Sequence, residues 1–236
     1  MEKKVKSNFR GLDVSNYGET FNAIPKIITS TRNYVNKLGQ EERNAVYGLL
    51  AEESAHTLLK MYQTRYESLI CEGTIFEYEK GKTTEIDLIY LTRNMVYIIE
   101  CKHRSEDIEV QSDGSFKIGG RVESPINQNL GHIRKLFNTL EYGNLVPNNR
   151  IFNIVFLLFN NAKMHNPITL FKKEGFDGAF AGHHNLLPLI HKIETERSGG
   201  KLPIKTLHRE LMIKGRPYEG KQGMKKHLKN LQNRRY

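Results

Sequence analysis

The sequence predicts an α/β fold: a mixed central sheet flanked by helices, in a restriction-endonuclease-like arrangement with a basic C-terminal extension. Three observations predict it. One long amphipathic helix comes first, adjacent apolar strands follow as hairpins, and a nearly continuous apolar strand comes later, after a second helix. Hairpins make antiparallel neighbours and a helical crossover makes a parallel one, so the sheet must be mixed.

The elements follow in chain order. Residues 1–22 are polar and read as an arm. Pro25 opens a short helix that Gly39 ends. Between residues 40 and 69, Val46, Leu49, Leu50, Ala55, Leu58, Leu59 and Tyr62 recur at three- and four-residue spacing, which is one face of a helix. CEGTIFEYEK alternates and is β-rich, and Gly81 marks a turn. TTEIDLIYL and MVYIIEC form a hairpin, with the turn on Arg93-Asn94. Two short strands surround Asp113-Gly114. Ser124-Pro125 starts a helix reaching about Tyr142. IFNIVFLLF has the continuous apolar character of a strand buried on both faces. Past Asn160 the pattern is weak until a helix at 185–196, and Ser198-Gly199-Gly200 reads as a linker. The expected units are 1–39, an arm and short helix; 40–197, the main domain; and 198–236, a basic extension.

Composition narrows the function classes. The chain has 236 residues, 38% of them hydrophobic and 26% charged, which is a globular balance. No apolar run is long enough for a transmembrane helix, so no membrane partner is expected. The start lacks an apolar signal region, and two cysteines, Cys71 and Cys101, make neither a disulfide framework nor a four-thiolate zinc site. A cytoplasmic location is expected. The formal charge is +10, and residues 198–236 alone carry 11 Lys or Arg against 2 Glu. Such a segmental excess suits phosphate. Lys201, Lys205, Arg209, Lys214, Arg216, Lys221, Lys225, Lys226, Lys229, Arg234 and Arg235 are therefore expected nucleic-acid contacts. No base-reading module accompanies them, so little sequence preference is expected.

The chemistry concentrates in the hairpin. A turn on Arg93-Asn94, or a four-residue loop centred there, sets Asp87 opposite Glu100, with Cβ atoms about 4.5–5.5 Å apart; a three-residue loop would shift the register by one. Two carboxylates in apolar strands must be neutralised by a proton, a cation or a metal. Lys102 shares the face of Glu100. One lysine cannot neutralise both carboxylates, whereas Mg²⁺ or Mn²⁺, which favour oxygen ligands, can. The competing reading is a sheet salt bridge to Lys102, with Asp87 and Glu100 at a solvent-facing edge. Glu52 lies along the apolar stripe of the first helix, while Glu53 is further off it. Among weaker signals, His183-His184 with His165 and His191 match no zinc spacing and read as a polar loop. Ile118-Gly119-Gly120-Arg121 reads as a turn. No Walker or G-x-S-x-G motif occurs.

AEESAHTLL, EIDLIYL, VYIIECK and SPINQNLGHIRKL, in that order over residues 48–140, resemble the nuclease-related domain (NERD) family of the PD-(D/E)xK phosphodiesterases. The resemblance implies a restriction-endonuclease-like core that acts on DNA, with RNA possible. It implies that Asp87 and Glu100 bind Mg²⁺ or Mn²⁺ and that Lys102 serves the attacking water. The helix glutamate matches Glu52, with Glu53 the alternative, and the glutamine of the following helix matches Gln128. Ala51 stands where the family often has Gly, and Cys101 where it often has Thr. Neither change removes a ligand, because Cys101 would offer its backbone carbonyl. The oligomeric state stays open.

Overall fold

The computed structural model describes residues 39–63, 67–111, 113–143, 146–159, 164–165, 170–197 and 200–217. The expected arm and first short helix, up to residue 38, lie outside them. Helix α1 (Gln40–Gln63) leads into strands β1 (Ser68–Glu79), β2 (Lys82–Thr92) and β3 (Val96–Arg104). Three short strands follow: β4 (Ile108–Val110), β5 (Phe116–Ile118) and β6 (Arg121–Glu123). Helix α2 (Pro125–Thr139) and a 3₁₀ turn (Asn148–Arg150) precede β7 (Ile151–Phe159) and β8 (Met164–His165). The described chain ends with β9 (Leu170–Lys173), β10 (Phe176–Gly182), α3 (Leu186–Glu196), α4 (Ile204–Lys214) and β11 (Gly215–Pro217).

Seven strands form the central sheet in the order β11-β1-β2-β3-β7-β10-β9. The β1–β2 and β2–β3 pairs are antiparallel, and β7 runs parallel to both β3 and β10. The sheet is thus mixed, because hairpins precede the α2 crossover. Each face buries its own apolar cluster. On one side, Leu49, Ala55, Leu58 and Leu59 of α1 and Leu187 and Ile190 of α3 meet Tyr97, Ile99 and Cys101. On the other, Ile126, Leu130, Ile133 and Leu136 of α2 and Leu207 and Leu211 of α4 meet Val96 and Ile98. Strand β7 contributes Ile154 and Phe156 to the first cluster and Val155 and Leu157 to the second, so its unbroken apolar run reports burial on both faces.

Four expectations change. The long helix stops at Gln63 rather than near residue 69, because the chain from Ser68 is recruited as a strand. The strands flanking Asp113-Gly114 join a separate four-stranded sheet, β6-β5-β4-β8, which stands beside the main one. Strands β9 and β10 were not legible. FDGAFAG is too rich in small residues to signal a strand, yet pairing with β7 buries it. The largest change concerns the expected extension from residue 198. Leu202, Ile204, Leu207 and Leu211 are core residues, and β11 pairs with β1 to extend the sheet. A side chain on Gly215 would collide with Thr74 Cγ2 at 2.3 Å and the Leu211 carbonyl at 2.7 Å, so glycine is needed where α4 turns directly into that strand. Residues 202–217 are therefore part of the main unit.

A buried amide pair fixes α2 over the sheet. The Nδ2 group of Asn129 donates to Asn153 Oδ1 (2.8 Å) and to the Ile98 carbonyl (3.0 Å), and Asn153 donates to the Ile126 carbonyl (3.3 Å). Both residues are at most 1% exposed. Replacing Asn129 by Leu strips donors from a buried amide and a buried carbonyl. Each orphaned group costs roughly 1–3 kcal/mol, so the variant should lose about 2–5 kcal/mol in urea unfolding. A loss below 0.5 kcal/mol would show that the pair does not anchor the helix.

Among the described residues, no helix is long and apolar enough to cross a membrane.

Candidate active site where the central hairpin opens

The β2–β3 turn has the predicted geometry. The Thr92 N–H donates to the Met95 carbonyl (2.9 Å), and Thr92 Oγ1 accepts from the Met95 N–H (2.9 Å). The ladder runs Leu91–Val96, Tyr90–Tyr97, Ile89–Ile98 and Leu88–Ile99, and then stops. Its next step is Asp87 and Glu100, the expected register.

At that step side chains replace the ladder. Asp87 Oδ2 accepts the backbone N–H of Cys101 at 2.8 Å. Strand β1 breaks its pairing at the same level. Glu72–Leu88 and Thr74–Ile86 are paired, with Gly73 between them at φ 49°. Leu88 packs in the α1-side cluster, yet Ile86, two residues away, packs in the α2-side cluster. Residues two apart normally share a face. Strand β2 therefore rolls over at Asp87, and the left-handed glycine opposite permits it. The roll frees the aspartate from the ladder. A strand residue's N–H and C=O point toward the same neighbour, so the Cys101 carbonyl also faces the gap that β2 leaves.

Glu100 is buried, and Lys102 Nζ sits 2.5 Å from its Oε1. The salt bridge weighed as the alternative reading is thus present. Glu100 is buried rather than at a solvent-facing edge, and Asp87 Oδ2 is held by a main-chain donor. His132, on α2, closes the same side. Its Nδ1 is 3.3 Å from Thr84 Oγ1. Burial holds its pKa below the usual value; the Glu85 backbone and Asp87 push it up, and Lys135 and Lys102 push it down. The imidazole is partly buried between α2 and β2. Its partner comes from another element, so local sequence pattern does not reveal this position.

The remaining predicted residues are spread around this centre. Glu52 is buried on α1, the helix packed on the opposite face of the sheet from Ile98 and α2. One turn further along, His56 Nδ1 lies 3.3 Å from Glu72 Oε2, beside Gly73. Glu53 is only half-buried. Gln128 is exposed, one turn before His132 on α2. Among the described residues, no three His, Cys, Asp or Glu side chains form a metal-holding group. The oxygen donors at this step of the hairpin are the two carboxylates and, by strand geometry, the Cys101 carbonyl, a hard set whose chemistry fits a small divalent cation. Cys71 is no competing nucleophile, because burial pushes its thiol up to about 12.

Of the expected phosphate contacts, Lys201, Lys205, Arg209 and Arg216 are exposed. Lys214 is not available. Its Nζ donates to the Thr139 carbonyl (2.8 Å) and pairs with Glu210 (3.2 Å) and Glu141 (3.3 Å), clamping α4 to the end of α2. Its role is structural, because the buried Glu210 carboxylate needs a cation. Lys221, Lys225, Lys226, Lys229, Arg234 and Arg235 lie outside the described residues. His183 and His184 form the turn before α3, with ring centroids 3.7 Å apart.

A cleft of about 720 Å³ adjoins Lys102 at the end of β3. Across it, Tyr47 of α1 stacks on His103, with centroids 4.1 Å apart and planes at 9°. Burial and the adjacent Arg104 lower the His103 pKa to about 4.

The family model of the nuclease-related domain matches residues 47–158. That span runs from the second turn of α1 to the end of β7 and contains Glu52, Asp87, Glu100, Lys102 and Gln128. No curated protein matches the chain.

Proposed function

With residues 47–158 as a nuclease-related domain, we propose that the chain is a metal-dependent nuclease that hydrolyses phosphodiester bonds in DNA with little sequence preference. The observation that carries this reading is the interrupted ladder. Two carboxylates, a lysine and a main-chain carbonyl meet where β2 rolls away from β3, a costly arrangement for an apolar hairpin to keep.

Asp87, Glu100 and the Cys101 carbonyl would hold Mg²⁺ or Mn²⁺. Such an ion polarises a phosphate oxygen and lowers the pKa of a bound water. The Cys101 N–H fixes one oxygen of Asp87 and so orients the carboxylate at this step of the hairpin. Lys102, paired with Glu100 in this structure, would orient the attacking water and stabilise charge in the transition state. Glu52, from beneath, and Gln128, from the rim, complete the proposed set. His132 is a positioning group for Asp87 in this reading. The exposed Lys201, Lys205, Arg209 and Arg216 are proposed to attract the phosphate backbone.

A metal-free binding module of the same fold is favoured by one observation: Lys102 already neutralises Glu100. Metal titration separates the two. Asp87→Asn keeps an acceptor for the Cys101 N–H but removes a charge. For the unmodified chain, Mg²⁺ or Mn²⁺ at 100 times its Kd should stabilise by about 2.7 kcal/mol. In a domain of this size that is roughly 5–10 °C in Tm. Asp87→Asn should lose most of this shift. An equal shift in both proteins, or none in either, would remove the proposed metal site.

A further inference from the structure

Lysine 102 is also the threshold of the adjoining cleft, which lies between α1 and the β5–β6 hairpin. Its volume, about 720 Å³, is that of a small-ligand site, typically about 300–1,000 Å³. It is too small for a duplex and large enough for a nucleotide. Two features set it apart from an ordinary surface groove. Tyr47 and His103 stack face to face along its wall, and Tyr47 is anchored there by packing against the α1-side apolar cluster. His103 Nε2 is buried and has no hydrogen-bond partner. The rim is basic: Arg43 stands on the α1 side and exposed Arg121 on the hairpin side. Arg104 is held by Glu123 at 2.5 Å.

We infer that this cleft seats one unpaired nucleotide of the substrate strand, with its base on the Tyr47–His103 pair and its flanking phosphates on Arg43 and Arg121. Aromatic faces bind any base, and arginines at the rim bind any backbone, so the site selects single-stranded character without selecting sequence. The inference rests on the nuclease reading for its substrate. It supplies a strand-binding site next to Lys102, independent of the C-terminal basic residues.

The test uses the full chain carrying Asp87→Asn, in EDTA, so that nothing is cleaved. Fluorescence anisotropy measures binding of a short labelled oligothymidylate, an oligouridylate and a duplex. Tyr47→Ala should weaken oligothymidylate binding about tenfold, and Tyr47→Phe should bind like the parent. Arg121→Glu changes an exposed residue and cannot disturb the core. It should weaken the same binding at least about tenfold and flatten its salt dependence. Duplex affinity should change less than twofold with Tyr47→Ala. Unchanged oligomer affinity in both Tyr47→Ala and Arg121→Glu overturns the inference, as does a parent that binds no single strand. Cleavage by the unmodified chain with Mn²⁺ is scored separately. Cleavage together with unchanged affinities sinks the cleft and keeps the nuclease. Lost affinities without any cleavage sink the nuclease and keep the cleft.

Discussion

Lys102→Ala is expected to abolish DNA cleavage while leaving DNA affinity within about twofold. The charge lost is one among many basic groups, but it is the one proposed to act on the attacking water. Removing a positioned proton-transfer or orienting group typically costs about 10²–10⁴ in rate. A second signature distinguishes this role from a structural one. Lys102 is the cation of buried Glu100, and breaking a buried pair costs about 3–5 kcal/mol. The metal-free variant should therefore melt well below the unmodified chain. Mn²⁺ should then raise its Tm by more than it raises that of the unmodified protein, because the ion replaces the missing charge. Cleavage assays with and without Mn²⁺, alongside thermal melts, read both effects. Wild-type cleavage in Lys102→Ala would end its catalytic role. Absence of metal rescue would leave Lys102 as a salt-bridge partner alone.

Removing residues 198–236 should leave a chain that does not fold. The deletion strips Leu202, Ile204, Leu207 and Leu211 from the cluster under α2 and takes β11 from the edge of β1. At about 1.5–3 kcal/mol for each buried aliphatic side chain, the loss is roughly 6–12 kcal/mol. That is comparable with the whole stability of an ordinary domain, about 5–15 kcal/mol. It also removes Glu210, which accepts the Glu141 and Tyr142 N–H groups at the end of α2. Removing only residues 218–236 should leave a cooperative fold. That shorter deletion takes Lys221, Lys225, Lys226, Lys229, Arg234 and Arg235. If they bind DNA, the salt slope of duplex binding should fall by about 0.9 for each lost phosphate contact. Circular dichroism and salt-dependent binding measure both deletions. A folded product of the longer deletion would refute the packing account. An unchanged slope after the shorter one would show that these residues do not touch phosphate.

How much of this was legible depended on the range of the interactions. The amphipathic period of α1, the hairpin with its turn at Arg93-Asn94 and the apolar run of β7 follow from local pattern. Local pattern also set Asp87 opposite Glu100 and Lys102 on the same face as Glu100, because side-chain alternation and turn length fix register without distant contacts. Other features needed partners far along the chain. The 198–236 segment looked like a charged appendage because its lysines and arginines dominate composition, while four apolar residues at helical spacing decide its packing. Lys214 became structural only once α4 met the end of α2. Asn129 and Asn153 are unremarkable polar residues in sequence, and burial makes them anchors. The aspartate gained its Cys101 N–H because β2 rolls at Asp87, opposite Gly73 of β1. Tyr47 and His103, 56 positions apart in the chain, meet only after α1 folds across β3. By itself, then, the sequence determined the α/β class, the hairpin register and the candidate carboxylate–lysine set, all products of periodicity and short-range geometry. The tertiary structure alone decided which charges are available, how Asp87 is held and where a cleft opens, because burial and long-range packing have no local signature.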